Sequence, residues 1–293
     1  MSVEHVLVLT AAADLPDAAI DLMAETVNGA GGAAGETRRL AAGAVELDLA
    51  RRPAPGAMGE FAARIGIDAN LVPSANRRKR LLIADMDSTI IDVECIDELA
   101  DFAGVKPMVA EITERAMRGE LDFEAALRAR VALLRGLPAG TLGQCYEARV
   151  RLNPGARVLA RTMAALGAET ALVSGGFTFF SERVARAAGF AYNQANTLLT
   201  EDGVLTGEVA DPILGREAKR AALARLSADF GPEGAIAVGD GANDLDMVTA
   251  AGLGVAYRAK PALAEAADAR IEHSDLTALL ALQGIPETEW VRD

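Results

Sequence analysis

Two carboxylates set two residues apart, in Asp85-Met86-Asp87-Ser88-Thr89, directly follow the apolar run Leu81-Leu82-Ile83-Ala84. In an extended segment, residues i and i+2 point the same way, so both acids can face one ligand. Ser174-Gly175-Gly176 follows the apolar run Thr170–Val173, and Gly239-Asp240-Gly241-Ala242-Asn243-Asp244 follows Ala235–Val238. Acids placed directly after buried runs are costly unless they are paired or bound to a metal. A single Asp at such a place reads as a helix N-cap. That reading does not cover carboxylates at two strand ends with Ser-Gly-Gly at a third. Clustered carboxylates without histidine suit a hard cation with oxygen ligands, and Mg²⁺ is the usual partner of a phosphate. Ser174 and the adjacent glycines offer a hydroxyl and backbone N–H groups to phosphate oxygens, and Lys219 a positive charge. Phosphoryl transfer needs an in-line nucleophile, neutralised oxygens and a proton for the leaving alkoxide. An Asp with a second Asp at i+2 answers the first and third needs.

These residues require a frame that brings strand ends together. The four-residue apolar runs, with another at Leu253–Ala256, read as strands buried on both faces. Between them, Arg157–Leu166, Phe179–Ala188, Ala218–Leu226 and Asp244–Ala251 read as helices. Alternating strands and helices predict an α/β fold, a doubly wound, Rossmann-like parallel sheet whose ligands lie at the carboxyl ends of the strands. Residues 92–152 break the rhythm and read as a helical cap made of Cys95–Ala103, Val109–Arg118, Phe123–Leu134 and Leu142–Arg149. The core is then 81–91 together with 153–293.

Residues 1–75 read as a separate ferredoxin-like α/β domain: strand His5–Thr10, a helix opened by Pro16, strands Thr37–Leu40 and Val45–Leu49, a helix over Gly56–Arg64, and an extended Leu71–Val72. Arg77-Arg78-Lys79-Arg80, within a linker at 76–80, is expected to keep its charge in solvent.

Composition narrows the function. Hydrophobic residues make up 51% of the chain and charged residues 24%, as in a soluble globular protein. The longest uncharged stretch, Ala187 to Thr200, includes Asn193, Gln194 and Asn196, so no membrane span is expected. The N-terminus shows no basic leader, and Asp14 ends its short apolar run, so a signal peptide is not expected. A net charge of −13 repels nucleic acid and anionic lipid. Cys95 and Cys145 stand apart from each other and from His5 and His273, which excludes a zinc site of the usual spacing and fits the reducing cytoplasm. Gly239-x-Gly241 lacks the third glycine of a dinucleotide loop, and Asp240 would repel a pyrophosphate.

The runs at Asp85–Thr89, Ser174–Gly176, Lys219 and Gly239–Asp244 resemble the four ordered motifs of the haloacid-dehalogenase-like superfamily. Val93-Glu94-Cys95-Ile96-Asp97-Glu98-Leu99-Ala100, with Phe123 and Arg130, resembles its phosphoserine phosphatase branch, and residues 1–75 resemble an ACT-type module. The resemblance implies Mg²⁺-dependent hydrolysis of O-phospho-L-serine, the last step of serine biosynthesis. It implies Asp85 as nucleophile and Asp87 as general acid and base. The metal would be held by the Asp85 carboxylate, the Asp87 carbonyl and the Asp240 carboxylate. Ser174, Gly175 and Lys219 would hold the phosphoryl oxygens. Asn243 would touch the phosphoryl group or the water, and Asp244 would orient Lys219 or a metal-bound water. Glu94 would meet the substrate ammonium and Arg130 its carboxylate, with Phe123 shielding the site. Singly, Glu94 reads equally well as a first-turn helix acid, Arg130 as a solvated charge and Phe123 as core. Phosphothreonine or phosphohomoserine remain rival substrates, and an amino-acid sensor is a rival of another class. Serine binding and homodimer formation at the N-terminal module are both open.

Overall fold

The computed structural model describes residues 4–54, 56–117 and 120–292. The first elements are β1 (His5–Thr10), α1 (Asp17–Gly29), β2 (Ala33–Ala41), β3 (Ala44–Arg51), α2 (Ala57–Ile65) and β4 (Asp68–Pro73). Their antiparallel sheet runs β2-β3-β1-β4, the split βαβ arrangement expected of this segment. Pro16 sits one place earlier than expected, in the extended residue before α1. Strict alternation along β1 divides the sheet's two faces. Leu7 and Leu9 pack with Ile20, Met23 and Phe61 of the two helices, whereas Val6 and Val8 join the core of the larger unit.

That larger unit begins with β5 (Leu81–Ala84) and a tight turn over Met86–Ile90. The cap helices α3 (Cys95–Phe102), α4 (Lys106–Met117), α5 (Phe123–Ala132) and α6 (Gly140–Arg149) follow. Of the helix expected over Val109–Arg118, Arg118 lies outside the described residues. Next come α7 (Ala156–Ala165), β6 (Glu169–Phe177), α8 (Thr178–Ala188), β7 (Tyr192–Asn196), β8 (Leu198–Glu201) and β9 (Val204–Val209). The chain ends with α9 (Arg216–Leu226), β10 (Ala235–Gly239), α10 (Leu245–Ala250), β11 (Leu253–Tyr257), α11 (Pro261–Ala266), β12 (Ala269–Ile271) and α12 (Ala278–Leu282).

The six-stranded sheet is parallel throughout, in the order β12-β11-β10-β5-β6-β7. Its apolar runs are buried on both sides. Leu82, Ala84, Leu172 and Val238 meet Leu159 of α7, Val184 of α8 and Leu279 of α12. Leu81, Ile83, Val173 and Ala237 meet Leu223 of α9, Met247 of α10 and Leu263 of α11. From β5 the chain moves toward β6, and from β10 it moves the other way toward β11. The carboxyl ends of β5 and β10 therefore flank the switch point where such sheets bind ligands. The antiparallel β8–β9 hairpin props the cap from below: Gly136 N donates to Leu205 O (2.8 Å) and Leu205 N to Leu137 O (2.8 Å).

In the basic run at 77–80, Arg78 and Arg80 are exposed as expected, but the run also makes contacts. Arg77 pairs with Glu46 (2.7 Å) and donates to the carbonyls of Ala281 and Leu282. Arg78 grips Glu289, Lys79 donates to Glu233 O (2.9 Å), and the Arg80 guanidinium lies 4.4 Å from the Phe230 ring centroid. A guanidinium can satisfy several carbonyls at once, which makes the run a fastener between the sheets. Asp68 adds to it by accepting from the amides of Glu272 (2.8 Å), His273 (3.1 Å) and Ser274 (2.9 Å). Among the described residues, no helix is long and apolar enough to cross a membrane.

Candidate active site

β5 stops at Asp85, whose amide donates to Val238 O of β10 (3.0 Å), fixing it between the two central strands. Lys219, in the first turn of α9, is buried with its Nζ 2.5 Å from Asp85 Oδ1 and 2.6 Å from Asp244 Oδ1. Burial alone would pull that ammonium down, but Asp244 and Asp85 outweigh it and hold it above its ordinary value. Asp244 spends its other oxygen on the amides of Asp240 (3.2 Å) and Gly241 (3.1 Å), shaping the loop after β10.

One carboxylate oxygen from each of Asp85, Asp240 and Asp244 falls within 4.8 Å of the others. This all-oxygen set fits a hard divalent cation. Both Asp244 oxygens are already engaged, so Asp85 and Asp240 are the better ligands. Asp85 Oδ2 has no hydrogen-bond partner among the described residues, and Asp240 has only the Lys260 ammonium at 3.5 Å. Burial and then Asp244 push Asp85 well above the usual carboxylate range, against the pull of Lys219. Asp240 is raised to about 6, by burial first and by Asp244 and Glu94, with Lys260 opposing. A cation between them removes that penalty.

Asp87 lies in the turn after β5. Its Oδ1 accepts from Cys95 N (3.0 Å) and its Oδ2 from the Ser174 hydroxyl (3.2 Å). The Ser174 hydroxyl in turn accepts from Gly176 N (2.8 Å). Burial and the Glu94 carboxylate raise Asp87 to about 7, while Cys95 and Ser174 pull it down. Such a value lets one group give a proton and take it back near neutral pH. Ser88, next in the chain, is held at φ 56°, a left-handed conformation that a non-glycine residue adopts only under constraint. Its hydroxyl donates to Glu94 Oε1 (2.8 Å). Glu94 is therefore tied into the site and is more than a helix-terminal acid.

The remaining candidates form the rim. Arg130 is half-buried, and its one hydrogen bond among the described residues is Nε to Ala126 O (3.2 Å). Burial lowers its guanidinium from the ordinary value, with Asp97 and Glu94 opposing. It is thus a desolvated cation facing Glu94 without an ion-pair partner among those residues. Phe123 is 37% exposed, which excludes the core reading, and its ring lies against the backbones of Gly175 and Gly215. Asn243 is half-buried beside Gly241. The structure thus bonds Lys219 to Asp85 and Asp244, and Asp244 to the Asp240 amide, while Asp87, two residues along the chain from Asp85, forms a second bonded pair with Ser174. Glu94 and Asn243 adjoin these groups, and Phe123 and Arg130 reach them from the cap.

Residues 82–249 match the haloacid dehalogenase-like hydrolase family. The chain belongs to that family. A Streptomyces coelicolor phosphoserine phosphatase is 46% identical over 241 residues, 81% of this chain. The alignment spans 58% of that relative, so this chain covers little more than half its length. The unliganded crystal structure of a probable phosphoserine phosphatase from Vibrio cholerae superposes with a TM-score of 0.82 at 32% identity, covering 98% of this hydrolase and 88% of that chain. A phospho-aspartyl intermediate analogue of a phosphoserine phosphatase is 40% identical with a TM-score of 0.64, covering 69% of this hydrolase and 98% of that chain.

Two residues of the hydrolase escaped the reading of its sequence. Lys260 gives its ammonium to Asp240 and its amide to Asp240 O (2.8 Å), but lies 20 residues beyond the loop it supports. Asn196, at the end of β7, bonds to both sides of the pocket floor. No local signal set it apart, since Asn193 and Gln194 of the same strand are equally polar.

Proposed function

We propose that this hydrolase converts O-phospho-L-serine to L-serine and inorganic phosphate through an aspartyl-phosphate on Asp85. The observation that carries the reading is the buried Lys219–Asp85 pair set beside an Asp87 poised near neutrality. A phosphoryl group in that pocket meets a nucleophile, a fixed cation and a proton donor at once.

Asp85 attacks phosphorus with one of its carboxylate oxygens. The bond from phosphorus to the serine oxygen breaks as Asp87 gives that oxygen its proton. Lys219, the Ser174 hydroxyl and the Gly175 amide hold the phosphoryl oxygens, and Asn243 steadies the group or the incoming water. Asp87, now ionised, takes a proton from water, whose oxygen attacks phosphorus and frees Asp85 with release of phosphate. Asp85, Asp240 and the Asp87 carbonyl would hold Mg²⁺, which when bound neutralises charge on the phosphoryl oxygens. Asp244 keeps Lys219 and the 240–241 loop in place. Glu94 receives the substrate ammonium and Arg130 its carboxylate. The two charges come from different elements, so they select a zwitterion. Phe123 closes over the glycines and excludes water.

On this reading residues 1–75 form an ACT-like module, 76–80 a linker, 81–91 and 153–293 the catalytic core, and 92–152 the cap. The two buried free cysteines fit work in the cytoplasm. Binding of L-serine and pairing of two copies are the two roles open to the module. Titration of L-serine into the full chain and sedimentation with and without it separate them.

The deciding assay is phosphate release from L-phosphoserine, L-phosphothreonine and p-nitrophenyl phosphate, each with Mg²⁺ and with chelator. The reading expects Mg²⁺-dependent release with strong preference for phosphoserine. Equal rates on all three would discard the substrate assignment, and no release from any would discard the chemistry.

A further inference from the structure

Asn196 is 2% exposed and makes three hydrogen bonds, none to a side chain. Its amide nitrogen donates to Gly175 O (2.8 Å) and Leu214 O (3.1 Å), and its oxygen accepts from Leu214 N (2.7 Å). Two carbonyls can only accept and one amide can only donate, so the orientation of the side chain is unique.

The need for these bonds follows from the sheet. β6 and β7 pair in step through Val173 and Gln194, then resume at Phe177 and Asn196. Ser174, Gly175 and Gly176 therefore lie opposite Ala195 alone and bulge out of the ladder. A bulge turns backbone groups away from their regular partners, and a buried carbonyl left without one is costly. Asn196 takes the Gly175 carbonyl and with the same side chain grips both backbone groups of Leu214. The next residue, Gly215, opens α9 and accepts from Lys219 N (3.3 Å). From above, the Phe123 ring rests on Gly175 and Gly215, the same two segments.

We propose that Asn196 is the positioning residue of the phosphate-binding floor. It fixes the spacing between the Ser174-Gly175 bulge and the start of α9, and so decides where Ser174, Gly175 and Lys219 meet phosphoryl oxygens. Asn196 touches no substrate itself. The role rests on the reading of the site as a phosphomonoesterase.

The test uses the full chain with Asn196→Ser, which replaces the amide with one shorter hydroxyl and leaves room for water, and Asn196→Asp, which turns a carboxylate toward two carbonyls. The control is Asn70→Ser. Asn70 is also a buried amide, and it exchanges two hydrogen bonds with the Arg270 backbone (both 2.8 Å) away from the site. Three quantities are read: Tm, the Kd of inorganic phosphate by calorimetry in Mg²⁺, and kcat and KM for L-phosphoserine. A misplacement of ~1 Å in a reacting site costs about 10²-fold. Asn196→Ser is therefore expected to weaken phosphate about tenfold and lower kcat/KM by ~10- to 100-fold, and Asn196→Asp to do so further. Asn70→Ser should lower Tm comparably while leaving KM and phosphate Kd within about twofold. If Asn196→Asp does not fold, Asn196→Ser decides. A folded Asn196→Ser protein whose Tm falls while Kd, KM and kcat stay near wild type overturns the proposal. A wild-type chain that binds phosphate but does not hydrolyse phosphoserine refutes the substrate reading, and the phosphate Kd of the variants still tests Asn196.

Discussion

Gly176 lies against the Asp87 carboxylate, the group assigned the proton chemistry. A Cβ added there would fall 2.5 Å from Asp87 Oδ2, 3.0 Å from Ser174 Oγ and 3.2 Å from Met86 Cε. For Gly176→Ala, the Asp87 carboxylate must retreat by about 0.8 Å to regain an ordinary carbon–oxygen contact of ~3.3 Å. Both oxygens of Asp87 are held, one by Cys95 N and one by Ser174, so the retreat also breaks or lengthens those bonds. A displacement of that size costs about 10²-fold. Complete loss of the general acid would cost ~10²–10⁴-fold, so kcat for phosphoserine should fall by at least a hundredfold. The loss should depend on the leaving group. The serine alkoxide needs a proton as it departs, whereas p-nitrophenolate leaves as a stable anion. Leaving-group release within the first turnover, for both substrates with wild type and Gly176→Ala in saturating Mg²⁺, reads the difference, because Asp87 also serves as base in the later hydrolysis whichever group has departed. First-turnover release of p-nitrophenolate should change by less than about fivefold, since the Asp85, Lys219 and Asp240 side chains are not in the path of the added methyl group. Equal losses on both substrates would mean that the methyl group blocks phosphate binding. No loss on either would mean that Asp87 does not act as the acid.

Three further outcomes follow from the same geometry. Arg130→Ala removes a charge-assisted contact, worth roughly 1.5–3 kcal/mol, and should raise KM for phosphoserine by about 10- to 100-fold. It should barely affect O-phosphoethanolamine, which lacks the carboxylate; equal effects on both would remove Arg130 from recognition. Asp87 carries its proton in the folded chain up to about 7 against an ordinary 3.8, so folding weakens as pH rises between those values. At roughly 1.4 kcal/mol per pKa unit, Asp87→Asn should gain up to about 4 kcal/mol over wild type between pH 4 and pH 7 in chelator. Urea melts at the two pH values read this, and a pH-independent difference would contradict it. Asp68→Ala strands the buried Ser274 amide and frees the partly buried amides of Glu272 and His273 at the junction of the sheets, and should cost about 2–3 kcal/mol in urea while leaving kcat for phosphoserine unchanged. An unaltered midpoint would show that the junction adds no stability.

Much of this was legible in the sequence because the core strands are buried on both faces. Leu81–Ala84 and Ala235–Val238 are uninterrupted apolar runs, and each polar cluster begins where burial ends. Parallel topology then forces those ends together. The cap helices were equally readable from their apolar spacing. What escaped depends on long-range partners. The fastening role of Arg77–Arg80 rests on Glu46, Glu289 and the carbonyls of α12, which no local pattern announces. Asn196 answers a bulge that exists only once β6 and β7 pair. The β8–β9 hairpin did carry a local sign. Asp202-Gly203, flanked by the paired Glu201 and Val204, has the positive φ values (49° and 80°) of the favoured two-residue turn.

The nucleophilic role of Asp85 is tested most directly by mixing the enzyme and Mg²⁺ with phosphoserine labelled in its phosphoryl group, quenching in acid within a turnover, and mapping protein-bound label. The account predicts label on the peptide containing Asp85, chased into phosphate when the quench is delayed and absent from Asp85→Asn. Phosphate release at the same rate with no label on Asp85, or label on another residue, would contradict it.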